Sequence, residues 1–249
     1  MQQTVTRLAL RLDAYTRLSS DDRAAILRIS QRSVREVPAR RDIVREGEAP
    51  QYVHLVLEGW ACSYKSLPDG RRQTVNLFLP GDLCDLNVYI LKEMDHSLGA
   101  ITPVRVARFS KEDFDELTGG HPRITQALLW DELVTSAIQR EWTLNVGQRT
   151  AYERISHLLV ELFLRLRKVG LTRDHSCDFP LTQNDLADVT GLTSVHVNRT
   201  LQELRRNELI ELRGRELKIH DLPALMSAAM FNPNYLHMDH EGAHLDAND

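Results

Sequence analysis

The chain has 249 residues, of which 42% are hydrophobic and 27% charged, and its formal net charge is −4. This composition is that of a globular protein with one large or two modest domains, and the charge excludes a globally basic nucleic-acid binder, so such a function needs a local patch. No apolar run approaches the roughly 18 residues of a membrane span, and the opening MQQTVTRLALRLD is no secretory signal, so we expect a cytoplasmic protein without a membrane partner.

The first predicted elements are a short helix and a series of strands. SSDDRAAILRIS (19–30) has a serine at the N-cap, acids in the first turn and apolar residues at helical spacing, which predicts a helix. From Val34 to about Phe109 short β-rich runs alternate with turn residues, and Asp69-Gly70 between two runs is a strong hairpin signal. Short strands at close, even spacing predict an antiparallel barrel or jelly roll.

A second helical block follows the strands. SKEDFDELTG predicts a short helix, and His121-Pro122 leads into a long helical pattern from Arg123 to about Val146. Gly147 marks a hinge before a further helix, TAYERISHLLVELFLRLRKVG, which ends on a glycine as many helices do.

The long helix carries two apolar stripes. The first consists of Leu129, Leu133, Ala137 and Leu144. The second, at heptad spacing, consists of Leu128, Thr135, Ile138, Trp142 and Asn145. We expect one stripe to cover the roll and the other to meet a partner helix, and we assign the second stripe to the dimer contact, with Asp131 and Asn145 as polar intrusions. The alternative is a helix buried in its own subunit.

A helix-turn-helix is predicted within LTQNDLADVTGLTSVHVNRTLQEL. Thr182 and Asp185 form a capping pattern that opens the first helix, and Gly191 supplies the positive φ of a sharp turn. Thr193 then caps the second helix. Three apolar side chains of this helix recur at helical spacing and point inward: Val197, Leu201 and Leu204. Two helices that cross steeply over a short turn need this arrangement.

The opposite face of the second helix is largely polar near its N-terminus. Five side chains face outward: Ser194, Val195, His196, Asn198 and Arg199. In a helix-turn-helix this half of the helix enters the DNA major groove. Arg199 can bond guanine bidentately, Asn198 can read a base or hold a phosphate, and Val195 can contact a thymine methyl.

The start of each helix completes the predicted DNA-binding set. The hydroxyls and backbone amides near Thr182 and Thr193 suit phosphates, because helix N-termini attract anions, and Gln183 lies beside them. The alternative for the whole surface is an ordinary solvated face.

A basic hairpin follows and favours DNA over that alternative. ELRGRELKIH predicts a strand, a glycine turn and a strand that carry Arg213 and Arg215, as expected of a wing beside the DNA backbone. From Arg199 to Lys218 there are six basic and four acidic residues, so the patch is mildly positive and we expect only a few phosphate contacts.

The sequence resembles the Crp-Fnr family, named for the cyclic-AMP receptor protein and the fumarate-nitrate regulator, over roughly residues 20–220. The motifs that carry the resemblance are REGEAPQYVHLVLEGWACSY, LFLPGDLCDL, RTAYERISHLLVEL and, most specifically, LTQNDLADVTGLTSVHVNRTLQELRRNELIEL. The resemblance implies an α+β protein with an N-terminal antiparallel β jelly roll of the cyclic-nucleotide-binding kind, a long dimerisation helix and a C-terminal winged helix-turn-helix. It also implies that Val195, Asn198 and Arg199 read DNA, with His196 beside them. Family members often carry a glutamate where this chain has Val195.

The resemblance also implies domains and partners. We expect a sensor roll with its N-terminal helix at 1–120, the dimerisation helix at 121–147, the DNA-binding domain at 148–222 and a tail at 223–249. The expected partners are double-stranded DNA with a palindromic site and a second copy of the chain, and RNA polymerase is a further candidate. LPALMSAAMFNPNYL in the tail predicts either a closing helix against the winged domain or a dimer contact.

The effector is not identified by the sequence. A cyclic-nucleotide pocket needs an acid for the ribose and an arginine with a hydroxyl neighbour for the phosphate. By resemblance the acid position holds Asp85 and the hydroxyl position Ser97, but the arginine position holds His96, which argues against tight cyclic-AMP binding. Gln139 and Arg140 are the long-helix positions that would meet the base.

Other cofactors have weaker sequence support. An iron–sulphur cluster needs grouped thiolates, and the first thirty residues contain no cysteine. The cysteines at 62, 84 and 177 lack CxxC spacing and predict reduced core thiols, with a redox role for Cys84 as the alternative. A haem or metal could use the tail residues His237, His240 and His244, although we assign no metal-binding residue.

The leading hypothesis is therefore a dimeric, site-specific transcription regulator that is not an enzyme. The alternatives within the family are a cyclic-nucleotide-responsive regulator and a redox- or haem-sensing member. A further alternative is a cyclic-nucleotide-binding module that does not bind DNA, but this hypothesis gives residues 181–220 no role. A hydrolase built on Cys84 lacks a nucleophile elbow, a phosphate loop and paired carboxylates.

Overall fold

Residues 6–86 and 90–238 are described by the computed structural model of this chain. Its internal contacts divide the chain into two units, the first comprising Met1–Tyr64, Leu77–Ser136 and Leu236–Asp249, the second Lys65–Asn76 and Ala137–Tyr235. Among the described residues, no helix combines the length and the apolar character that a bilayer crossing requires.

The strand-rich part forms the predicted antiparallel jelly roll. Its strands within the described residues are β1 Val34–Val37, β2 Asp42–Val44, β3 Val53–Glu58, β4 Ala61–Ser66, β5 Arg72–Phe78, β6 Leu83–Cys84, β7 Ser97–Ala100 and β8 Val104–Phe109. One sheet has the order β1-β8-β3-β6 and the other β2-β7-β4-β5, with antiparallel pairing in the registers resolved. Side chains from both sheets share a core, including Val37, Ile43, Val56, Phe78, Leu98 and Val106.

The hairpin signal at Asp69-Gly70 is confirmed. Strands β4 and β5 are neighbours in their sheet, and the Leu67 amide donates to the Arg71 carbonyl oxygen at 2.8 Å. Gly70 has φ +87°, a conformation that glycine adopts without a steric penalty.

Two predicted helices accompany the roll, α2 Ser20–Ser30 and α3 Lys111–Gly120. Each begins with a reciprocal bond between a serine N-cap and an aspartate three residues later, Ser19 with Asp22 and Ser110 with Asp113. Such capping boxes satisfy backbone donors that the first turn leaves free, which explains why the helices begin at these serines.

A further helix, α1 Arg7–Asp13, was not predicted. Its Arg11 is buried and donates to Asp82 at 2.7 Å and to Asp131 at 2.6 Å. Burying a guanidinium requires such carboxylate partners, because an unpaired buried charge is strongly destabilising. The helix also packs closely on Gly81, where a Cβ would lie 3.1 Å from the Arg7 backbone.

The long helix and the winged domain follow. The helices are α4 Pro122–Gln148, α5 Ala151–Lys168, α6 Gln183–Thr190, α7 Ser194–Arg206 and α8 Leu222–Ala228, with a 3-10 turn at Pro233–Leu236. The strands are β9 Thr172–Arg173, β10 Ser176–Asp178, β11 Ile210–Arg213 and β12 Glu216–Ile219, in the sheet order β11-β12-β10-β9. The predicted order of long helix, helix, helix-turn-helix and wing is confirmed.

Candidate DNA-binding site

The first helix of the helix-turn-helix, α6, begins as the capping pattern predicts. The Thr182 hydroxyl accepts from the Asp185 amide at 3.2 Å and donates to the Asp185 carboxylate at 2.7 Å, while that carboxylate accepts from the Thr182 amide at 2.8 Å. These bonds hold the first turn of α6 in place, and they occupy the hydroxyl that we expected to suit a phosphate.

The turn between α6 and α7 depends on one glycine. Gly191 has φ +65° and donates its amide to the Ala187 carbonyl oxygen at 2.9 Å, which ends α6 in a left-handed cap. Thr193 then caps α7, because its hydroxyl accepts from the His196 amide at 3.3 Å. The chain therefore bends at Gly191 rather than continuing as one helix.

Helix α7 has the two faces that its spacing predicts. The inward side chains Val197, Leu201 and Leu204 are 0–3% exposed, whereas the Val195 side chain on the other face is 73% exposed. Arg199 is exposed, and no hydrogen bond or ion pair among the described residues involves it. A charged, unengaged side chain on a rigid helix is what recognition of a base edge requires.

A shallow recess of about 370 Å³ runs along this face of α7. Its lining residues are Gln183, Ser194, Val195, Asn198, Arg199 and Gln202. Inside it, the Asn198 side-chain amide donates to the Gln183 side-chain oxygen at 3.2 Å. The sequence reasoning missed Gln202, although its position one turn after Asn198 was a usable signal.

The wing forms as predicted between β11 and β12, and Gly214 turns it with φ +59°. Its arginines are partly neutralised by neighbours: Arg213 forms an ion pair with Glu211, and the Arg215 guanidinium lies 3.6 Å from the Asp178 carboxylate. The positive charge available to a phosphate backbone is therefore small, in agreement with the mild basicity of the sequence.

The carboxyl end of α6 is held by side chains from outside the helix-turn-helix. The Arg154 guanidinium donates to the Thr190 carbonyl oxygen at 2.7 Å, and also to those of Val146 at 2.8 Å and Arg149 at 2.9 Å. The Gln73 side chain donates to the Val189 carbonyl oxygen at 3.1 Å. These donors satisfy carbonyl groups that a helix end leaves free. The positive charge of Arg154 also interacts favourably with the negative end of the helix dipole.

The stripe of α4 assigned to the dimer contact must be corrected. The side chains at Leu128, Ile138, Trp142 and Asn145 are only 3–7% exposed and Thr135 is half-buried, so this stripe is used within its own chain. Leu129 and Leu133 of the other stripe are each 65% exposed. Asp131 does not lie in a dimer seam either, because its carboxylate is buried in the ion pair with Arg11.

The segment Leu222–Ala228 forms the helix α8, which packs against α5. Beyond it, the Tyr235 hydroxyl donates to the Glu161 carboxylate at 2.8 Å, and the Trp142 indole donates to the same carboxylate at 3.1 Å. Burial raises the pKa of Glu161, and these donors stabilise its charged form. This contact explains why Trp142 faces inward.

The residues predicted for an effector pocket are engaged by the chain itself. His96 lies between two carboxylates, with Nε2 3.0 Å from Asp85 and Nδ1 2.6 Å from Asp95. The hydrogen bond to Asp85 raises the pKa of His96 to about 9, so that the imidazole is protonated at neutral pH. The imidazolium at the position of the phosphate arginine is therefore already paired with carboxylates of the chain.

Two of the other effector candidates, Ser97 and Gln139, also have internal roles. The Ser97 hydroxyl accepts from the Glu46 backbone amide at 3.0 Å. The Gln139 side chain donates to the Val75 carbonyl oxygen at 2.8 Å, and Arg140 is exposed. A cyclic phosphate needs a bidentate cation and a free hydroxyl. The residues around His96 do not fit a cyclic phosphate, because they place two carboxylates where the phosphate needs a bidentate cation.

The cysteines are buried, and of the tail histidines only His237 lies among the described residues. Cys62, Cys84 and Cys177 are all buried free thiols, and burial raises the pKa of Cys84 well above its ordinary value, which disfavours the reactive thiolate. Within residues 6–86 and 90–238, no group of three or more potential metal-ligating side chains occurs. His237 packs edge-on against Trp130, whereas His240 and His244 lie outside the described residues.

Comparison with known families matches both parts of the chain. The cyclic nucleotide-binding domain family matches residues 34–121, and the Crp-like helix-turn-helix domain family matches residues 153–228. These ranges contain the roll and the winged domain described above.

Individual relatives agree with the family match. The transcriptional activator protein FnrL of Cereibacter sphaeroides is 30% identical over 199 residues, 78% of this chain and 79% of FnrL. The nitrogen fixation regulation protein FixK of Bradyrhizobium diazoefficiens is 33% identical over 175 residues, 70% of this chain and 71% of FixK. The structure of FixK2 from Bradyrhizobium japonicum matches with a TM-score of 0.69 and 25% identity, covering 79% of this chain and 96% of FixK2. The chain belongs to the Crp-Fnr family, and it is a transcription regulator with a DNA-binding helix-turn-helix.

Proposed function

We propose that the chain binds a palindromic DNA site as a homodimer, without a cyclic-nucleotide effector. The observation that carries the proposal is the outward face of α7, where Arg199 is exposed and unengaged while the inward face is fixed in the core. The roll at 1–120 is the proposed sensor, 121–147 the pairing helix, 148–222 the DNA-binding domain and 223–249 the tail.

Each side of the site has a proposed role. Arg199 bonds a guanine edge, and the methyl groups of Val195 contact a thymine methyl. Ser194 and His196 lie on the same exposed turn and bond bases or phosphates. The backbone amides that follow Thr182 and Thr193 point toward phosphates, as do the wing residues Arg213 and Arg215. A cytoplasmic location is part of the proposal, as is RNA polymerase as a further candidate partner, and the proposal assigns no enzymatic activity.

The proposed dimer contact is the exposed stripe of α4. Leu129 and Leu133 lie one turn apart and are each 65% exposed, and Leu144, 46% exposed, continues the stripe. Leu129 and Leu144 lie about 22 Å apart along the helix, and exposed leucines over this length form a surface that a second helix covers in a coiled-coil-like pair. Ser136 and Arg140 also lie on this exposed face and form the polar part of the proposed seam.

Binding-site selection tests the DNA proposal. The full chain, purified natively, is incubated with random double-stranded DNA at low salt, and the bound fraction is sequenced. We expect an inverted repeat whose half-sites are centred about one helical turn, ~34 Å, apart. Failure to select any sequence contradicts the proposal. Native mass spectrometry of the same preparation reports any ligand that copurifies with the chain.

Sedimentation equilibrium tests the dimer contact. We expect the unmodified chain to be a dimer and Leu133→Asp to be a monomer, because an aspartate in an apolar seam must be desolvated without a partner. The matched control is Leu67→Asp, since Leu67 is also exposed, 51%, but lies at the tip of the β4–β5 hairpin. A dimer that survives Leu133→Asp contradicts the assigned contact.

A further inference from the structure

We propose that Gln183 is a positioning residue for sequence reading, which orients the Asn198 amide so that Asn198 reads an adenine. The inference rests on the proposed reading role of α7 and adds to it the base that Asn198 recognises and the residue that sets its orientation. The carrying observation is the hydrogen bond of 3.2 Å from Asn198 Nδ2 to Gln183 Oε1.

Both ends of this hydrogen bond stand on fixed backbone. Gln183 is the first residue of α6, directly after the Thr182 cap whose bonds with Asp185 close the first turn. Asn198 directly follows Val197, which is 0% exposed and anchors α7 in the core. The separation of the two side chains is therefore set by the crossing of the two helices.

The hydrogen bond selects one of two orientations of the asparagine amide. The terminal torsion of asparagine is broad and roughly two-fold, so an isolated amide exchanges its oxygen and nitrogen positions readily. In the structure Gln183 turns its oxygen, which accepts, toward Asn198, and with Gln183 in this orientation Asn198 turns its nitrogen toward α6. The Asn198 oxygen then faces away from Gln183, and Asn198 lines the recess together with Arg199 and Gln202.

The groups that remain free on Asn198 match one base. The amide has two N–H groups and one oxygen, and Gln183 uses one N–H. The remaining N–H and the oxygen form an adjacent donor and acceptor, which pair with N7 and the N6 amino group of adenine in the major groove. Guanine offers two acceptors at this edge, N7 and O6. The Asn198 oxygen would therefore face the O6 acceptor of a guanine and disfavour this base.

Binding-site selection on four variants tests the inference. Asn198→Ala should remove an adenine preference at one position of each half-site, about five- to one-hundred-fold per half-site. Gln183→Ala should weaken the preference at the same position about two- to tenfold, with the other positions unchanged. Because Gln183 acts through Asn198, adding Gln183→Ala to Asn198→Ala should cause no further loss of the adenine preference. Gln183→Glu keeps an accepting oxygen and should retain the adenine preference, even as its charge lowers total affinity.

The matched control is Asn184→Ala, which removes an exposed amide from the same turn of α6 without touching the pair. It should leave the preference for adenine intact. If Gln183→Ala instead weakens all sequences equally and reduces the salt dependence, Gln183 contacts a phosphate and the inference is wrong. The inference also fails if the unmodified chain selects a site that Gln183→Ala reads identically. Selection of no site by the unmodified chain is a different result, which contradicts the proposed function itself.

Discussion

The outward face of α7 and the His96 region of the roll are both rich in polar side chains, but they use them in opposite ways. On α7 the backbone is fixed by buried apolar residues, and Arg199 is left to solvent. Around His96 the polar groups bind each other, Asp85 and Asp95 to the imidazole and Ser97 to the Glu46 amide. A polar cluster is available to a ligand only when its neighbours do not already satisfy it.

This difference predicts two separate kinds of mutant. Substitutions of exposed residues on the outward face of α7 should change DNA affinity and leave the free energy of unfolding nearly unchanged. Substitutions around His96 should change the free energy of unfolding and leave DNA affinity nearly unchanged. The four tests below run from the largest expected effect to the smallest.

Arg199→Ala should weaken binding to the selected DNA site by about 1–3 kcal/mol per subunit, because a bidentate contact to guanine is lost. The free energy of unfolding should change by less than about 0.5 kcal/mol, since the side chain is exposed. Gel-shift titration and urea unfolding measure the two quantities. The control is Arg206→Ala in the last turn of the same helix, and equal losses for both variants contradict base reading by Arg199.

His96→Gln should destabilise the chain at pH 6 and much less at pH 9.5. The pKa of His96 is raised to about 9 in the folded chain, above the ordinary 6.5, so its stabilisation is complete below pH 6.5 and is lost as the pH rises through 9. After allowance for solvent screening we expect about 1–2 kcal/mol. Urea midpoints of both proteins across this range give the difference, and a difference independent of pH contradicts the assignment.

Ser97→Ala should lower the free energy of unfolding by about 1 kcal/mol, because the Glu46 amide loses its acceptor. DNA affinity should not change. Ser66→Ala on β4 is the control, since that serine is exposed. Thermal unfolding distinguishes the two variants, and identical melting temperatures show that the Ser97 hydroxyl is not used internally.

Cyclic AMP should have the smallest effect. A ligand that binds only the folded chain stabilises it by RT ln(1 + [L]/Kd), so the absence of binding predicts no shift of the melting temperature at millimolar cyclic AMP. The carboxylates beside His96 are the physical reason. A saturable rise of the melting temperature, or a change in DNA affinity, means that the His96 region accommodates the phosphate.

The sequence predicted the helix-turn-helix well because each step there is a local signal. The Thr182 cap, the glycine at 191 and the inward spacing from Val197 are read within a few residues and do not depend on distant contacts. Helix α1 also begins at a capping residue, Thr6, but its seven residues are too few for a periodic pattern, and it is held by Asp82 and Asp131, far along the chain.

The stripes of α4 and the groups around His96 show the same limit. Spacing identified both stripes, but it could not say which one the chain itself covers, and so Leu128 and Trp142 were assigned to the wrong side. The resemblance placed His96 at the position of the phosphate arginine. It could not show that Asp95 and Asp85 hold that side chain on both sides.

The bonds of Arg154 have a mechanical consequence for regulation. One guanidinium joins the last turn of α4, through Val146, to the last turn of α6, through Thr190. A torque applied to the end of α4 must carry α6 with it or break a charge-assisted hydrogen bond worth ~1.5–3 kcal/mol. The end of α4 and the end of α6 are therefore tied together at this corner, and we expect them to move as one piece.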